Sequence, residues 1–378
     1  MEVRRLSLTD FRSYPQVDLA LDSGVTSFVG RNGQGKTNLV EAIAYVATLG
    51  SHRVATDAPL VRAGATRAIV RTEVARGDRR TLVELEINPG RANRAQVNRA
   101  PVPRPREILG LLRTVVFAPE DLALVRGDPA QRRVFLDDLL VARNPRYAGV
   151  RSDLDRVLRQ RNALLRSAQA ARRAATADVE RTLSVWDDQL ADLGAELIAA
   201  RLSLVEALAG PVATAYDRVS TGAGPATLTY VSSLAESAPP SADRQQWRAA
   251  LLEAVARRRR DELDRGVTLV GPQRDDLALG IGELAAKGYA SHGESWSLAL
   301  ALRLASYDVL RGDDDPDAEP VLILDDVFAE LDAGRRTALA EVAAGAGQVL
   351  VTAAVAADVP EVLTGARYEV AGASVSRA

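Results

Sequence analysis

The segment Gly30-Arg31-Asn32-Gly33-Gln34-Gly35-Lys36-Thr37 restricts what this chain can fold into more than any other feature. It satisfies G-x-x-x-x-G-K-[ST], follows an apolar run (VTSFV), and precedes a helix predicted from about Thr37 to Leu49, with Leu39, Ile43, Val46 and Ala47 at helical spacing. A strand, a glycine turn and a helix in that order form a phosphate cradle. The glycines let backbone N–H groups turn inward, and the helix N-terminus adds a favourable dipole. Lys36 is placed to reach the β- and γ-phosphates of ATP, and the Thr37 hydroxyl to bind Mg²⁺. Arg31, Asn32, Gln34 and Asn38 complete the segment expected around the phosphates.

A phosphate cradle needs acidic partners, and VLILDDVFAELD supplies them where four apolar residues of a buried strand run into two carboxylates. Asp325 is the expected metal-side acid, Asp326 the group that orients or activates the attacking water, and Asp332 lies in the following loop, within reach of a dimer partner. A third element, Ser291-His292-Gly293-Glu294, precedes the apolar-periodic helix SWSLALALRLASYDVL. Taken alone it is a serine helix cap. Its place before the acidic strand makes it look like the ABC signature motif, in which a serine and a glycine at a helix N-terminus receive the γ-phosphate of ATP held by another subunit. One chain then carries both halves of a composite site and cannot close them on itself, so ATP is expected to drive a homodimer.

The order of patterns gives the architecture. Strand-like segments fill the first ~30 residues; AIVRTEVA and TLVELEI have the period-two character of antiparallel strands; TVVFAP, VLIL and QVLVTAA read as buried strands. Between them the chain turns helical, with Leu154, Leu158, Leu164 and Leu165 on one stripe and Leu183, Trp186, Leu190, Leu193 and Leu197 on another, joined through a polar tip and ended by Pro211 and GAGP. The expected fold is α/β: a P-loop ATPase head of mixed sheet and flanking helices (1–130 and 266–378), interrupted by a helical arm (131–265). With 378 residues and 47% hydrophobic side chains the chain can bury a sizeable core. It contains no cysteine, and its histidines, His52 and His292, are far apart, so any metal is expected on oxygen ligands. No long uncharged apolar run or export signal is evident, so a cytoplasmic location without a membrane partner is expected. The net charge of -2 is silent about nucleic acid, because phosphate affinity depends on a local basic face. Arm arginines (Arg156, Arg159, Arg161, Arg166, Arg172, Arg173) are interleaved with acids, and fit a solvated helix face as well as a DNA track.

Between these motifs sit PEDLALVRGDPAQRRVFLD (Pro119 to Asp137) and GPQRDDL (Gly271 to Leu277), and the acidic strand reads LILDDVFAELDAGRR. With GRNGQGKTNLVEAI and the Ser51-His52-Arg53 triplet, the chain resembles the RecF family of SMC/ABC-type ATPase heads at both ends of the head. The resemblance implies a DNA repair protein that dimerises on ATP, binds single- and double-stranded DNA at gap junctions, works with RecR and RecO to load RecA, and hydrolyses ATP weakly, stimulated by DNA. Arg132, Arg133 and Arg274 are placed either to serve phosphates or to form an internal ion-pair network. Three departures from ABC heads point to slow turnover: Asp326 where glutamate is common, Ala118 where a metal-sensing glutamine is expected, and Thr352 where a histidine is. Rival readings are another SMC-like head, for which the arm is short; a transporter ATPase subunit, which leaves GPQRDDL without a role; a P-loop small-molecule kinase, which leaves Ser291 without one; and a scaffold that binds ATP without hydrolysing it.

Overall fold

A computed structural model describes residues 1–170, 177–220, 224–312 and 316–378. Arg172 and Arg173, with the rest of the expected arm tip at 171–176, part of the GAGP stretch and part of RGDDDPDAEP lie outside the described residues. The chain forms two compact units: Met1–Arg126 with Pro211–Ala226 and Ala286–Ala378, and Gly127–Gly210 with Thr227–Ala285.

The first unit begins with β1 (Glu2–Phe11), β2 (Tyr14–Ala20), β3 (Gly24–Val29), α1 (Lys36–Thr48), β4 (Ala68–Arg76), β5 (Arg79–Ile87), β6 (Arg94–Val97), β7 (Ala100–Val102), β8 (Thr114–Phe117) and α2 (Leu122–Arg126). The second holds α3 (Pro129–Arg143), α4 (Arg146–Ala170), most of α5 (Ala177–Val219), β9 (Ala226–Val231), α6 (Arg244–Arg265), β10 (Asp276–Ile281) and β11 (Leu284–Ala285). The first unit resumes with the single turn α7 (Ala286–Tyr289), α8 (His292–Arg311), β12 (Val321–Asp325), α9 (Ala333–Ala344), β13 (Gln348–Ala353), β14 (Gly365–Ala371) and β15 (Ser374–Arg377).

Two six-stranded sheets make up the first unit. One, ordered β2-β1-β4-β5-β6-β7, is antiparallel throughout, and its strands alternate as the period-two pattern predicts: Ala68, Val70, Thr72 and Val74 face inward along β4. The other, ordered β15-β14-β3-β13-β12-β8, is parallel except for β15. Here β12 and β13 are buried along their whole length, which is why VLIL and QVLVTA carry continuous rather than alternating apolar residues. Buried Gln348 joins the sheets: its Oε1 accepts from the Val3 N–H (2.7 Å), and its Nε2 donates to the carbonyls of Val3 (2.9 Å) and Asp22 (3.0 Å). The parallel register sets Asp325 opposite Thr352, and Thr352 opposite Phe28 just before the glycine turn. The sheet thus carries the acidic strand and the P-loop strand to the same end, with β13 between them.

Two expectations about the helical region need correction. Pro211 does not end a helix; it sits inside α5, which continues to Val219. A mid-helix proline removes one hydrogen bond and crowds the preceding turn, yet the buried stripe Leu204, Leu208, Val212, Ala215 and Val219 runs unbroken across it, and that burial outweighs the local defect. Of the leucine set read from the sequence for α4, Leu154 and Leu165 are buried and Leu158 and Leu164 only partly so; Val157, Arg161 and Ala168 complete the buried stripe. Arg161 is fully buried, its Nε donating to Asp187 (2.8 Å), Nη1 to Thr268 Oγ1 (2.8 Å) and Nη2 to Glu262 (2.5 Å). By length and composition alone part of α5 is apolar enough to cross a bilayer, as the core helix of a soluble protein also can be.

Removing one partner of a buried ion pair leaves the other charged and desolvated. Arg161→Met is therefore expected to lower unfolding free energy by about 3–5 kcal/mol in urea titrations, whereas Arg156→Met, at an exposed pair with Asp153, should change it by no more than about 0.5 kcal/mol.

Candidate functional site

The glycine turn between β3 and α1 has the backbone a phosphate cradle requires. Gly33 (φ 80°) and Gly35 (φ 109°) lie in the left-handed region. At Gly35 a side chain is excluded twice over, because a Cβ there would meet Tyr14 Oη at 2.9 Å and Ser13 Oγ at 3.0 Å. At Gly30 a Cβ would lie 2.1 Å from the Val370 carbonyl. Gly33 opens instead onto free space, as a surface that receives a ligand must. The expected helix is displaced by one residue: α1 starts at Lys36, and Leu49 closes it in the left-handed region (φ 56°), donating to Tyr45 O at 2.8 Å.

Four side chains meet at the end of β12. The Thr37 hydroxyl donates to Asp325 Oδ1 (2.9 Å), and so does the Thr352 hydroxyl (2.6 Å), whose oxygen in turn accepts from the Asp326 N–H (2.9 Å). His52 Nε2 lies 3.6 Å from Asp325 Oδ2. Burial pushes the Asp325 carboxyl up, but His52 and the hydroxyls of Thr352 and Thr37 outweigh it and hold the group below the usual aspartate range. Its neighbour goes the other way. Burial and the adjacent Asp325 charge lift Asp326 above the usual range against the opposing pull of Lys36, whose buried Nζ is 3.9 Å from Asp326 Oδ2. Two adjacent carboxylates are thereby pushed apart, one towards the ionised form and the other towards a better proton acceptor. Asp326 is also one of few non-glycine residues here with positive φ (49°), a conformation that surrounding structure must impose. The donors fit a magnesium nucleotide: Thr37 and Asp325 put two hard oxygens side by side, next to an ammonium and an open glycine turn. No cluster of three or more His, Cys, Asp or Glu suited to a metal occurs among the described residues, so any ion here would rely on phosphate and water for its remaining ligands.

In the sequence His52 argues against a histidine metal site and belongs to the family-like Ser51-His52-Arg53 triplet, but nothing there places it beside Asp325. The two chain neighbours of His52 are held by Glu41, one turn along α1 from Thr37 and fully buried. Glu41 Oε1 accepts from Arg12 Nη2 (2.5 Å) and Ser51 Oγ (2.5 Å), and Oε2 from Arg12 Nε (2.8 Å) and Arg53 Nη1 (3.2 Å). The Ser-His-Arg triplet is therefore tied down on both sides of His52. The spacing of Glu41 from Thr37 and the triplet after the helix cap were the signals available for it.

The remaining P-loop side chains divide by use. Gln34 Oε1 accepts from the Gly372 N–H (2.7 Å), bracing the turn against the β14–β15 hairpin. Arg31 offers its carbonyl to Lys36 Nζ (3.4 Å), and Asn32 is exposed. The side chain of Asn38, expected beside the phosphates, is instead engaged with Ser13 Oγ (2.9 Å) and Arg53 Nη1 (3.1 Å).

Ser291, Gly293, Glu294 and Asp332 form a second group. Ser291 caps α8, accepting from the Glu294 N–H (3.2 Å), while Glu294 Oε2 accepts from the Ser291 N–H (2.8 Å), a reciprocal capping box. Those bonds hold the Glu294 carboxyl below the usual range. Asp332 caps α9 and forms an ion pair with Arg335. Arg335 Nε donates to Ser297 Oγ (2.8 Å) on α8, and its Nη2 lies 3.0 Å from where a Cβ on Gly293 would stand. Arg335 thus fastens the start of α9 to the start of α8, and glycine at 293 makes room for it.

A P-loop and an acidic strand joined through a parallel sheet, an antiparallel sheet beside them and a capped signature helix define an ABC/SMC-type ATPase head. The RecF/RecN/SMC N terminal domain family model matches residues 2–366. The chain is 63% identical over 380 residues to the DNA replication and repair protein RecF of Frankia alni, and 60% identical over 379 residues to that of Streptomyces avermitilis, covering all of both sequences in each case. Its fold superposes on the recombination mediator protein RecF–ATP of the RecFOR pathway with a TM-score of 0.89 at 25% identity, covering 100% of this chain and 97% of that one. A Pyrococcus furiosus Smc head domain (TM-score 0.55, 17% identity, covering 100% of this chain and 95% of that one) shares the fold alone. The chain belongs to the RecF family.

Because the folded state lowers the Glu41 pKa, the stability this carboxylate contributes is present above the usual glutamate range and is lost as pH falls through the depressed value; burial opposes the shift, and Arg12 and Ser51 produce it. In thermal melts across pH, Glu41→Gln should be less stable than the native chain near neutrality, with the gap closing in acid. A pH-independent gap would mean that packing, not charge, sets the role of Glu41.

Proposed function

We propose that this chain is an ATP-switched DNA-binding protein of recombinational repair, as the names of its relatives suggest, with slow ATP hydrolysis as the reset. The hydrogen bond that joins Thr37 to Asp325, and so the P-loop to the acidic strand, carries the reading. The ATP-bound RecF structure and the shared fold support ATP as the ligand. Lys36 and the N–H groups of Gly30 to Thr37 would hold the phosphates, and Thr37 with Asp325 a magnesium ion, which when bound offsets charge on the β- and γ-phosphates. Asp326 orients the attacking water and accepts its proton; its raised pKa suits it to that task, while its short side chain gives it less reach than glutamate.

The second half of the site is Ser291 with Gly293 and the α8 N-terminus, directed at ATP held by another copy, with Glu294 shaping the cap and Asp332 lying in the contact. ATP binding would then be read out as homodimerisation around DNA at single-strand gap junctions, and RecR, acting with RecO towards RecA loading, as the partner; the RecFOR pathway named for the RecF relative supports this. The parts follow as an ATPase head at 1–130 and 266–378, an inserted arm at 131–265, and a cytoplasmic setting.

Fluorescence anisotropy on a gapped duplex tests the switch. Binding should appear with ATP and not with ADP, and Lys36→Met should abolish it; nucleotide-independent binding would overturn the switch. Asp326→Asn should retain ATP-dependent binding while lowering steady-state hydrolysis by roughly 100-fold or more. Unchanged hydrolysis would remove Asp326 from the mechanism and favour an ATP-binding scaffold.

A further inference from the structure

The segment from Asn88 to Ile108, which builds the free edge of the antiparallel sheet, contains Arg91, Arg94, Arg99, Arg104 and Arg106 but a single acid, Glu107. None of these five guanidinium groups makes an ion pair or hydrogen bond with a described residue, and all but half-buried Arg106 are exposed. On the neighbouring strands Arg71 is matched with Glu84 and Arg80 with Glu73, as is Arg67, just before β4, with Glu86; Arg79, at the start of β5, is exposed and pairs with no described residue. Glu86 stands directly across from Arg94 in the ladder, and Arg67 already engages it. The unmatched positive charge is therefore concentrated on β6, β7 and the turns around them.

Two details argue that the charge is for a ligand. Arg99 sits at φ 68° after Asn98 at φ 51°, in a tight hairpin turn where glycine would relieve strain. Pro101 on β7 has no N–H to offer, so the edge is poorly suited to take up another strand. Protection of an edge explains one charge or a proline; it does not explain five unpaired arginines, one of them held in a strained conformation.

We infer that the β6–β7 edge is a phosphate-contacting surface for duplex DNA. This rests on the DNA-binding reading above and assigns it a place. Contacts of this kind position the backbone without reading sequence, and each adds to the salt dependence of binding.

The test compares the native chain with Arg94→Glu/Arg99→Glu/Arg104→Glu, and with a charge-matched control, Arg181→Glu/Arg257→Glu/Arg258→Glu. Each is titrated with ATP against a fluorescein-labelled duplex over a salt series. The edge variant should bind on the order of ten-fold or more weaker, with the slope of log K against log salt reduced by about 2–3, while the control stays near native. Arg99→Gly, which relieves the strained turn, should keep or raise the melting temperature and still lower the slope by about 1. Native-like affinity and slope in the edge variant, or equal weakening by the control, would overturn the assignment while leaving DNA binding intact. A native chain that binds no DNA with ATP would overturn both readings.

Discussion

The Thr37–Asp325 hydrogen bond is possible only because the parallel sheet fixes where β12 ends. The register that pairs Asp325 with Thr352, and Thr352 with Phe28, brings three strands to one edge at one height. A one-residue slip of β12 would turn the Asp325 side chain to the opposite face, into the position of Leu324, and put Asp326 in its place. Burial of the whole strand makes such a slip prohibitive, since it would carry a carboxylate into the core. Thr352 acts as a spacer: its hydroxyl donates to one aspartate and accepts from the backbone of the next, which helps to hold Asp326 in its left-handed conformation.

The second unit stabilises itself by a different route. Its core contains Arg161 and Arg201, each almost fully buried and each bonded to a carboxylate; Arg201 donates twice to Asp137 and once to the Pro272 carbonyl. Arg132 binds Asp276 through two bonds, and Arg133 donates to the Asp275 carbonyl. Residues 132–137 and 271–277, within the two family-like segments, are therefore halves of one internal network. Arg132, Arg133 and Arg274, which the sequence left between phosphate contacts and internal bracing, are engaged in bracing, Arg274 through its Nη2 donating to the Thr268 carbonyl (3.0 Å). Such networks favour a unique arrangement more than raw stability, because hydrophobic replacements of similar volume often match their energy.

Much of this was legible in the chain. The P-loop, the buried parallel strands and the antiparallel pair around Ala68 to Ile87 follow from glycine spacing and apolar period, which are local properties. Three things were not. Arg161 interrupts a leucine-rich helix and reads as a solvated charge, because its partners, Asp187, Glu262 and Thr268, are distant in sequence. Pro211 reads as a terminator because local propensity carries no knowledge of the stripe that continues past it. His52 lies beside Asp325 within a segment whose flanking Ser51 and Arg53 are held by Glu41, and the burial of Glu41 is a tertiary fact.

Arg335 links the beginnings of α8 and α9 within the chain itself. Its guanidinium is shared among Asp332, Ser297 and the space above Gly293, and the serine cap is already closed by Glu294. A surface ordered in advance loses little side-chain freedom when another molecule docks on it, so association there would be limited by diffusion and orientation rather than by rearrangement.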